Sequence, residues 1–150
     1  MAIDLDRVNP LTERVIGAAI RVHKALGPGL LESVYHSCLM FELRRNGLAV
    51  EANVPMPVLY DDVRLDLGFR LDGVVEDYLV LELKSVDKLV AIHDAQVLTY
   101  LKLSGFPIAL LINFNVTLLK DGVKRLINAN PAARFRSMAG RFSENQNNLR

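Results

Sequence analysis

The segment of residues 78–84 constrains the fold of this chain more than any other part of its sequence. It reads Tyr-Leu-Val-Leu-Glu-Leu-Lys, and its first half is apolar on both faces of an extended strand. This pattern is typical of a strand in the centre of a sheet. Its second half carries Glu82 and Lys84, which strand alternation places on one face about 6–7 Å apart. Because burial of charge is costly unless the group is paired or binds a metal ion, the segment predicts either an ion pair at the exposed end of a central strand or a functional site.

The other predicted elements fit one α/β domain around this strand. Apolar residues at helical spacing predict a helix that opens near Asn9 or Thr12, and a second helix over 30–46. A helix over 92–104 separates the central strand from an apolar strand at 107–114, which predicts that these two strands pair in parallel. The sequence therefore predicts an α/β fold with a mixed β-sheet flanked by helices, in the order α-α-β-β-β-α-β-β. The remaining strands are expected at 48–54, 56–60, 64–71 and 74–75, and in a last hairpin of 116–120 with 123–127.

Composition narrows the class of protein further. The chain has 150 residues, 51% of them hydrophobic, which favours one domain with a substantial core. Its net charge of +1 argues against a protein that coats nucleic acid through many phosphate contacts. A nuclease is less affected by this argument, because it also needs acidic metal ligands. No apolar run is long enough for a signal peptide or a membrane span, so we expect a protein of the cytoplasm with no membrane partner.

Asp72 gives the charges on the central strand a second interpretation. It lies ten residues before Glu82, across a tight hairpin, so folding of the hairpin can bring the two carboxylates together. Converging carboxylates repel unless a proton or a cation lies between them, and hard oxygen ligands suit Mg²⁺ or Mn²⁺. Lys84 would then stabilise negative charge on a phosphate. By itself Asp72 would be read as an acid of the hairpin turn, so the combination with Glu82 and Lys84 carries the hypothesis.

Helical residues supply further candidates for the same site, each with a structural alternative. Glu32 opens the second helix, where the helix dipole alone would favour an acid, and Tyr35 lies on the same helical face. Gln96 and Tyr100 are four residues apart on the third helix. Gln96 could hold a water or a phosphate oxygen and Tyr100 could donate to phosphate. Alternatively, they are one polar residue and one packing residue.

One cysteine and three histidines complete the inventory of potential metal ligands. Cys38 lies in an apolar helical stretch and is expected in the core, and no Cys/His zinc pattern occurs. His23 would be a ligand if the first helix crosses the site, and otherwise has a packing or surface role. Packing or surface roles are also expected for His36 and His93. No HExxH, GxSxG, GxGxxG or P-loop pattern is present.

The candidate residues follow one another in an order that resembles a known family. A G-x-x-E-x-x-Y motif at 29–35 precedes Asp72, and Glu82-Leu-Lys84 follows. Gln96-x-x-x-Tyr100 and the sequence Leu-Leu-Ile-Asn-Phe at 110–114 come next. Together these motifs resemble the GxxExxY family of small bacterial and archaeal proteins. That family is placed in the PD-(D/E)XK nuclease superfamily, nearest its lambda-exonuclease-like branch, and the resemblance covers roughly 11–128.

The resemblance implies a restriction-endonuclease-like core with its active site at one edge of the sheet. Asp72, Glu82 and Glu32 would bind the metal ion, and Lys84 would be the catalytic lysine beside them. All four are therefore the expected catalytic residues. The residues expected to bind substrate are Gln96, Tyr100 and Tyr35.

The function implied by the resemblance is hydrolysis of DNA phosphodiester bonds by a metal-activated water, with Mg²⁺ or Mn²⁺ as cofactor. A nuclease-like domain over 11–130 would lie between an N-terminal arm, 1–10, and a polar, basic, partly flexible tail, 131–150. Two alternatives remain open. One is a non-catalytic nucleic-acid-binding or protein-interaction module on the same fold. The other is a nuclease subunit that requires a partner, and a homodimer formed through an edge strand is also compatible with the sequence.

Overall fold

The computed structural model describes residues 3–131, apart from the side chain of Leu67. Within this range, three α-helices and five β-strands form one mixed α/β domain, which confirms the predicted fold class. The elements are α1 (Leu5–Leu26), α2 (Glu32–Arg45), β1 (Val50–Tyr60), β2 (Val63–Val75), β3 (Leu79–Lys84), α3 (Ala91–Ser104), β4 (Ile108–Asn113) and β5 (Val123–Ile127), with a short 3₁₀ helix at Leu119–Gly122.

The strands of the sheet are arranged in the order β1-β2-β3-β4-β5, so β3 is central as its apolar sequence predicts. β3 and β4 pair in parallel, with Glu82 opposite Leu111, and the other neighbours are antiparallel. This arrangement follows from the connections, because a helix joins β3 to β4 whereas tight turns join β1, β2 and β3. β1 lies at an edge, as Pro55 and Pro57 predict.

Two hydrophobic clusters cover the two faces of the sheet. The first joins α1 and α2 to Leu81 and Leu83 of β3, and the second joins α3 to Val80. Alternation therefore directs Glu82 and Lys84 to the side of α3. The core thus fixes which face of β3 carries its two charges.

The predicted start of the first helix is wrong. Helix α1 begins at Leu5, and the carboxylate of Asp4 caps it by accepting hydrogen bonds from the backbone N–H groups of Asp6 and Arg7. The helix continues through Pro10, although proline cannot donate a backbone hydrogen bond. The free energy gained by burial of Val8 in the core offsets the loss of this hydrogen bond. Residues 5–10 of the expected N-terminal arm are therefore the first turns of α1.

The last predicted hairpin is also wrong in part. Residues 116–120 form no strand, and β5 pairs directly with β4, so that Val123 lies opposite Ile112. The chain can turn back this closely because Gly122 has no side chain, whereas a Cβ there would overlap the carbonyl oxygen of Asn113. The predicted strands 48–54 and 56–60 are one strand, β1, with a register shift between Met56 and Val58.

Two further expectations from the sequence concern the C-terminal tail and membrane association. Nearly all of the predicted tail, 132–150, lies outside the described residues. Among the described residues, no helix is both long and apolar enough to cross a membrane.

The register shift in β1 generates the first testable prediction. A Cβ at Gly68 would overlap the carbonyl oxygen of Met56, so Gly68→Ala must displace the backbone of β1 or β2. We expect a loss of about 1–3 kcal/mol in the free energy of unfolding, as for other overpacked sites. Urea unfolding of the two proteins measures this loss.

The matched control is Gly17→Ala in α1, where a Cβ would meet no atom within 4 Å apart from the backbone of its own helix. Alanine is about 0.5–1 kcal/mol better than glycine inside a helix, so this variant should be as stable as the unmodified protein or more stable. Equal stability of Gly68→Ala and the unmodified protein would contradict the packing described for β1 and β2.

Candidate active site

The carboxyl groups of Asp72 and Glu82 meet where β2 and β3 stop pairing. The ladder between these strands ends at Gly73 and Leu81. Beyond it, the backbone N–H of Leu83 donates to Asp72 Oδ2 at 2.7 Å, and the backbone N–H of Asp72 donates to Glu82 Oε1 at 3.3 Å. Each carboxylate is therefore held by an amide of the opposite strand, and the two carboxyl groups lie within hydrogen-bonding distance of each other.

Burial raises the pKa values of both acids. Glu82 is 3% exposed, and its burial, followed by the negative charge of Asp72, raises its pKa to about 8. Burial also raises the pKa of Asp72, although the amide of Leu83 and the charges of His36 and Lys84 act in the opposite direction. A buried carboxyl pair of this kind retains a proton near neutral pH unless a cation replaces it.

Lys84 lies beside the carboxyl pair and contacts α3. Its ammonium group donates a hydrogen bond to Gln96 Oε1 at 2.9 Å. Tyr100, one turn further along α3, contacts Gln96 through its hydroxyl, and its ring stacks on Phe69 with ring centroids 4.2 Å apart. Burial and the charge of Glu82 raise the pKa of Tyr100, so its hydroxyl stays protonated at neutral pH. The structure thus gathers all four residues predicted on β3 and α3.

Helix α2 brings Glu32 to the opposite side of the pair. Although Glu32 is largely exposed, partial burial of its carboxyl and then the charge of Asp72 raise its pKa, while Lys84 and His36 lower it. Within residues 3–131, however, no group of three or more histidine, cysteine, aspartate or glutamate side chains is placed to hold one metal ion. The structure therefore brings Glu32 into electrostatic range of the site but not into one ligand cluster with Asp72 and Glu82.

Tyr35 does not reach the site, which contradicts its predicted contact with substrate. Its side chain is fully buried and stacks on Phe114 at 4.6 Å. Its hydroxyl donates to the carbonyl oxygen of Gly27 at 2.5 Å and accepts the backbone N–H of Leu30 at 3.1 Å. Tyr35 therefore fastens the loop that precedes α2, and the spacing of the G-x-x-E-x-x-Y motif fixes where Glu32 begins the helix.

Two residues around the site were not predicted from sequence to take part in it. His36 Nε2 hydrogen-bonds to the carbonyl oxygen of Asp72 at 2.7 Å, so His36 supports the backbone of a central acid. The side-chain amide of Asn113 binds both the N–H and the carbonyl of Val86, which holds the loop after Lys84 against β4. One signal was available for each: His36 lies four residues after Glu32, and Asn113 is a polar residue in an apolar strand.

His23, left open between a ligand and a packing role, lies away from the acids. It is 7% exposed, and its Nε2 hydrogen-bonds to the carbonyl oxygen of Val116 at 2.8 Å. His23 therefore holds the chain after β4. Cys38 is half-buried and packs against the first hydrophobic cluster, in agreement with its predicted place.

The chemistry of the donor set fits a hard divalent cation. Asp72 and Glu82 offer only oxygen donors, and a cation between them would offset the burial of their charges and the effect of the Asp72 charge on Glu82. Mg²⁺ is commonly bound by one or two carboxylates and completes its coordination with water or phosphate, so two protein carboxylates are a sufficient number.

Comparison with known proteins identifies the family. A model of the PD-(D/E)XK nuclease superfamily matches residues 9–126. This chain belongs to the PD-(D/E)XK nuclease superfamily. The matched region contains all of the candidate site residues, and nucleases of the superfamily generally use divalent metal ions. No curated protein and no solved structure matches the chain.

The raised pKa of Glu82 makes stability depend on pH in a defined direction. Between its ordinary value of 4.5 and about 8, the folded protein retains a proton that the unfolded chain releases. The free energy of unfolding of the metal-free protein should therefore fall as pH rises through this window. In Glu82→Gln, which cannot ionise, the fall should be smaller, so the variant gains stability relative to the unmodified protein from pH 5 to pH 9. Urea unfolding in the presence of a chelator measures both profiles.

Glu13→Gln, at an exposed position of α1, controls for the loss of one acid. Its profile should run parallel to that of the unmodified protein. A parallel profile for Glu82→Gln as well would show that Glu82 ionises as easily in the folded as in the unfolded chain, contrary to the site described above.

Proposed function

We propose that this protein is a divalent-metal-dependent phosphodiesterase that hydrolyses DNA, with Mg²⁺ or Mn²⁺ as cofactor. The observation that carries the proposal is the meeting of Asp72, Glu82 and Lys84 at the end of β3, with Gln96 bound to the lysine. Membership of a nuclease superfamily supports this reaction class. The choice of DNA rests on the resemblance to the GxxExxY family and the lambda-exonuclease-like branch.

In this proposal, the acids and the lysine of the site have different roles. Asp72 and Glu82 would hold the cation, and the backbone amides of Leu83 and Asp72 fix the position of these two carboxylates. A bound divalent ion supplies a Lewis acid that lowers the pKa of a water molecule and neutralises charge on the phosphate. Lys84, oriented by Gln96, stabilises the negative charge that develops on the phosphate in the transition state.

Glu32 and Tyr100 have supporting roles in this proposal. Glu32 lies beyond the ligand pair, and its charge can orient water around the cation without direct coordination. The protonated hydroxyl of Tyr100, next to Gln96, can donate a hydrogen bond to a phosphate oxygen. We place this reaction in the cytoplasm.

A second candidate function is that of a nuclease subunit which requires a protein partner. The distal part of the β1–β2 hairpin exposes Leu59, Tyr60, Val63 and Leu65, each at least 47% exposed. Such apolar exposure is common at sites of protein association. This candidate keeps the same catalytic site, but predicts weak activity of the isolated chain.

A nuclease assay tests the proposed function. We expect cleavage of DNA with Mg²⁺ or Mn²⁺ and none in the presence of a chelator. Asp72→Ala and Lys84→Ala should each lower the rate by about 100-fold or more, because the first removes a ligand of the cation and the second removes the positive charge that stabilises the phosphate in the transition state. Lys102→Ala, on an exposed position of α3, removes one positive charge outside the site and should leave the rate unchanged.

Equal cleavage by the unmodified protein and both site variants would mean that the cleavage comes from a contaminant. Metal binding without cleavage would contradict the proposal for the isolated chain and favour the partner-dependent subunit. Absence of any binding of Mg²⁺ or Mn²⁺ near neutral pH would favour the non-catalytic alternative.

A further inference from the structure

The β1–β2 ladder switches faces at the step that contains Asn53 and Asp72. In β1, Val50 and Ala52 pack against the cluster beneath α1 and α2, whereas Val54 and Met56 belong to the cluster beneath α3. Regular alternation would place all four residues on one side of the sheet. The switch therefore occurs at Asn53.

The partner strand makes the same switch at Asp72. A side chain at Gly73 would contact Met40 of α2, and Val75 packs on that same side. Leu71, two residues before Gly73, belongs instead to the cluster beneath α3. The pairs Ala52–Gly73 and Val54–Leu71 keep the register across this step, so the switch involves no inserted residue.

The backbone of Asn53 has an unusual conformation at the position of the switch. Its φ is 53°, in the left-handed region, although it lies inside a strand. Asparagine and glycine tolerate this conformation, whereas β-branched residues strongly disfavour it. A left-handed residue inside a strand interrupts the regular alternation, and here the residues before and after Asn53 face opposite sides of the sheet.

We propose that Asn53 is a positioning residue, whose left-handed backbone directs the Asp72 carboxylate to the end of β3. At this step β2 stops pairing with β3, and the amide of Leu83 binds Asp72 Oδ2 instead of a backbone carbonyl. The side chain of Asn53 is exposed, so its contribution is made through the backbone. Binding of a cation by Asp72 rests on the proposed function. The effect of Asn53 on the position of Asp72 is independent of that function.

Substitutions at residue 53 distinguish a role of the Asn53 backbone conformation from a role of its side chain. Asn53→Gly keeps access to positive φ and should bind Mn²⁺ like the unmodified protein. Asn53→Val disfavours that conformation and should weaken Mn²⁺ binding by about 10-fold or more, the range found when residues that support a metal ligand are changed. Asn53→Ala should lie between them, and it serves as the smaller change if the valine variant does not fold. Titration calorimetry with Mn²⁺ at pH 8 gives the affinities.

Glu51→Val is the matched control, because it introduces the same side chain at an exposed position two residues earlier in β1. It should bind Mn²⁺ like the unmodified protein. Circular dichroism confirms that each variant is folded.

Hydrogen exchange of the Leu83 amide supplies a readout that needs no metal ion. This amide is held by the Asp72 carboxylate, so its protection should persist in Asn53→Gly and fall in Asn53→Ala and Asn53→Val. If the unmodified protein binds no Mn²⁺, the cation site is refuted, and the Leu83 amide still tests the role of Asn53.

Two results would overturn the proposal for Asn53. One is a folded alanine or valine variant in which the Leu83 amide is protected as in the unmodified protein. The other is a glycine variant that loses this protection, which would assign the effect to the asparagine side chain instead of its backbone.

Discussion

The exchange of hydrogen bonds between the acids and the backbone of β2 and β3 determines the rest of the site. Where the ladder ends, Leu83 donates to Asp72, and Asp72 donates to Glu82, so the two carboxyl groups are fixed by main-chain atoms. Main-chain donors of two packed strands move less than surface side chains, and they hold the acids close despite their repulsion. The raised pKa of Glu82 reports the unfavourable energy of this arrangement without a cation. Carboxyl pKa values raised by burial and by a neighbouring acid are typical of functional sites.

The strands of the sheet position the central acids and the lysine, and the helices add the remaining residues of the site. Parallel pairing of β3 with β4 places α3 over the same face that Glu82 and Lys84 occupy, which brings Gln96 to the lysine. From the other side, Tyr35 fastens the loop before α2 and so determines where Glu32 stands. Residues that are distant in sequence thus meet because two layers of helix cover opposite faces of one sheet.

Much of this arrangement could be predicted from sequence, and the reasons for success and failure are physical. Strand alternation alone put Glu82 and Lys84 on one face, and the short hairpin brought Asp72 to Glu82. Tyr35 was misassigned because a motif position does not reveal burial. Its ring is enclosed by Phe114, which is distant in sequence.

The other failures have the same origin in tertiary structure. The start of α1 was missed because packing of Val8 outweighed the usual preference of Pro10 for a first turn. The face switch at Asn53 has no sequence signal of its own, since an exposed asparagine in a strand is compatible with regular pairing. His36 was set aside because its partner is the backbone of Asp72, and sequence does not show backbone contacts.

The most direct test of the central claim is the location of Mn²⁺ in crystals of the protein, measured by anomalous diffraction at a pH above 8. The account predicts one ion in contact with carboxylate oxygens of both Asp72 and Glu82, with the Lys84 ammonium group nearby. Crystals saturated with Mn²⁺ in which this pair binds no ion, or in which the ion binds only elsewhere, would contradict it.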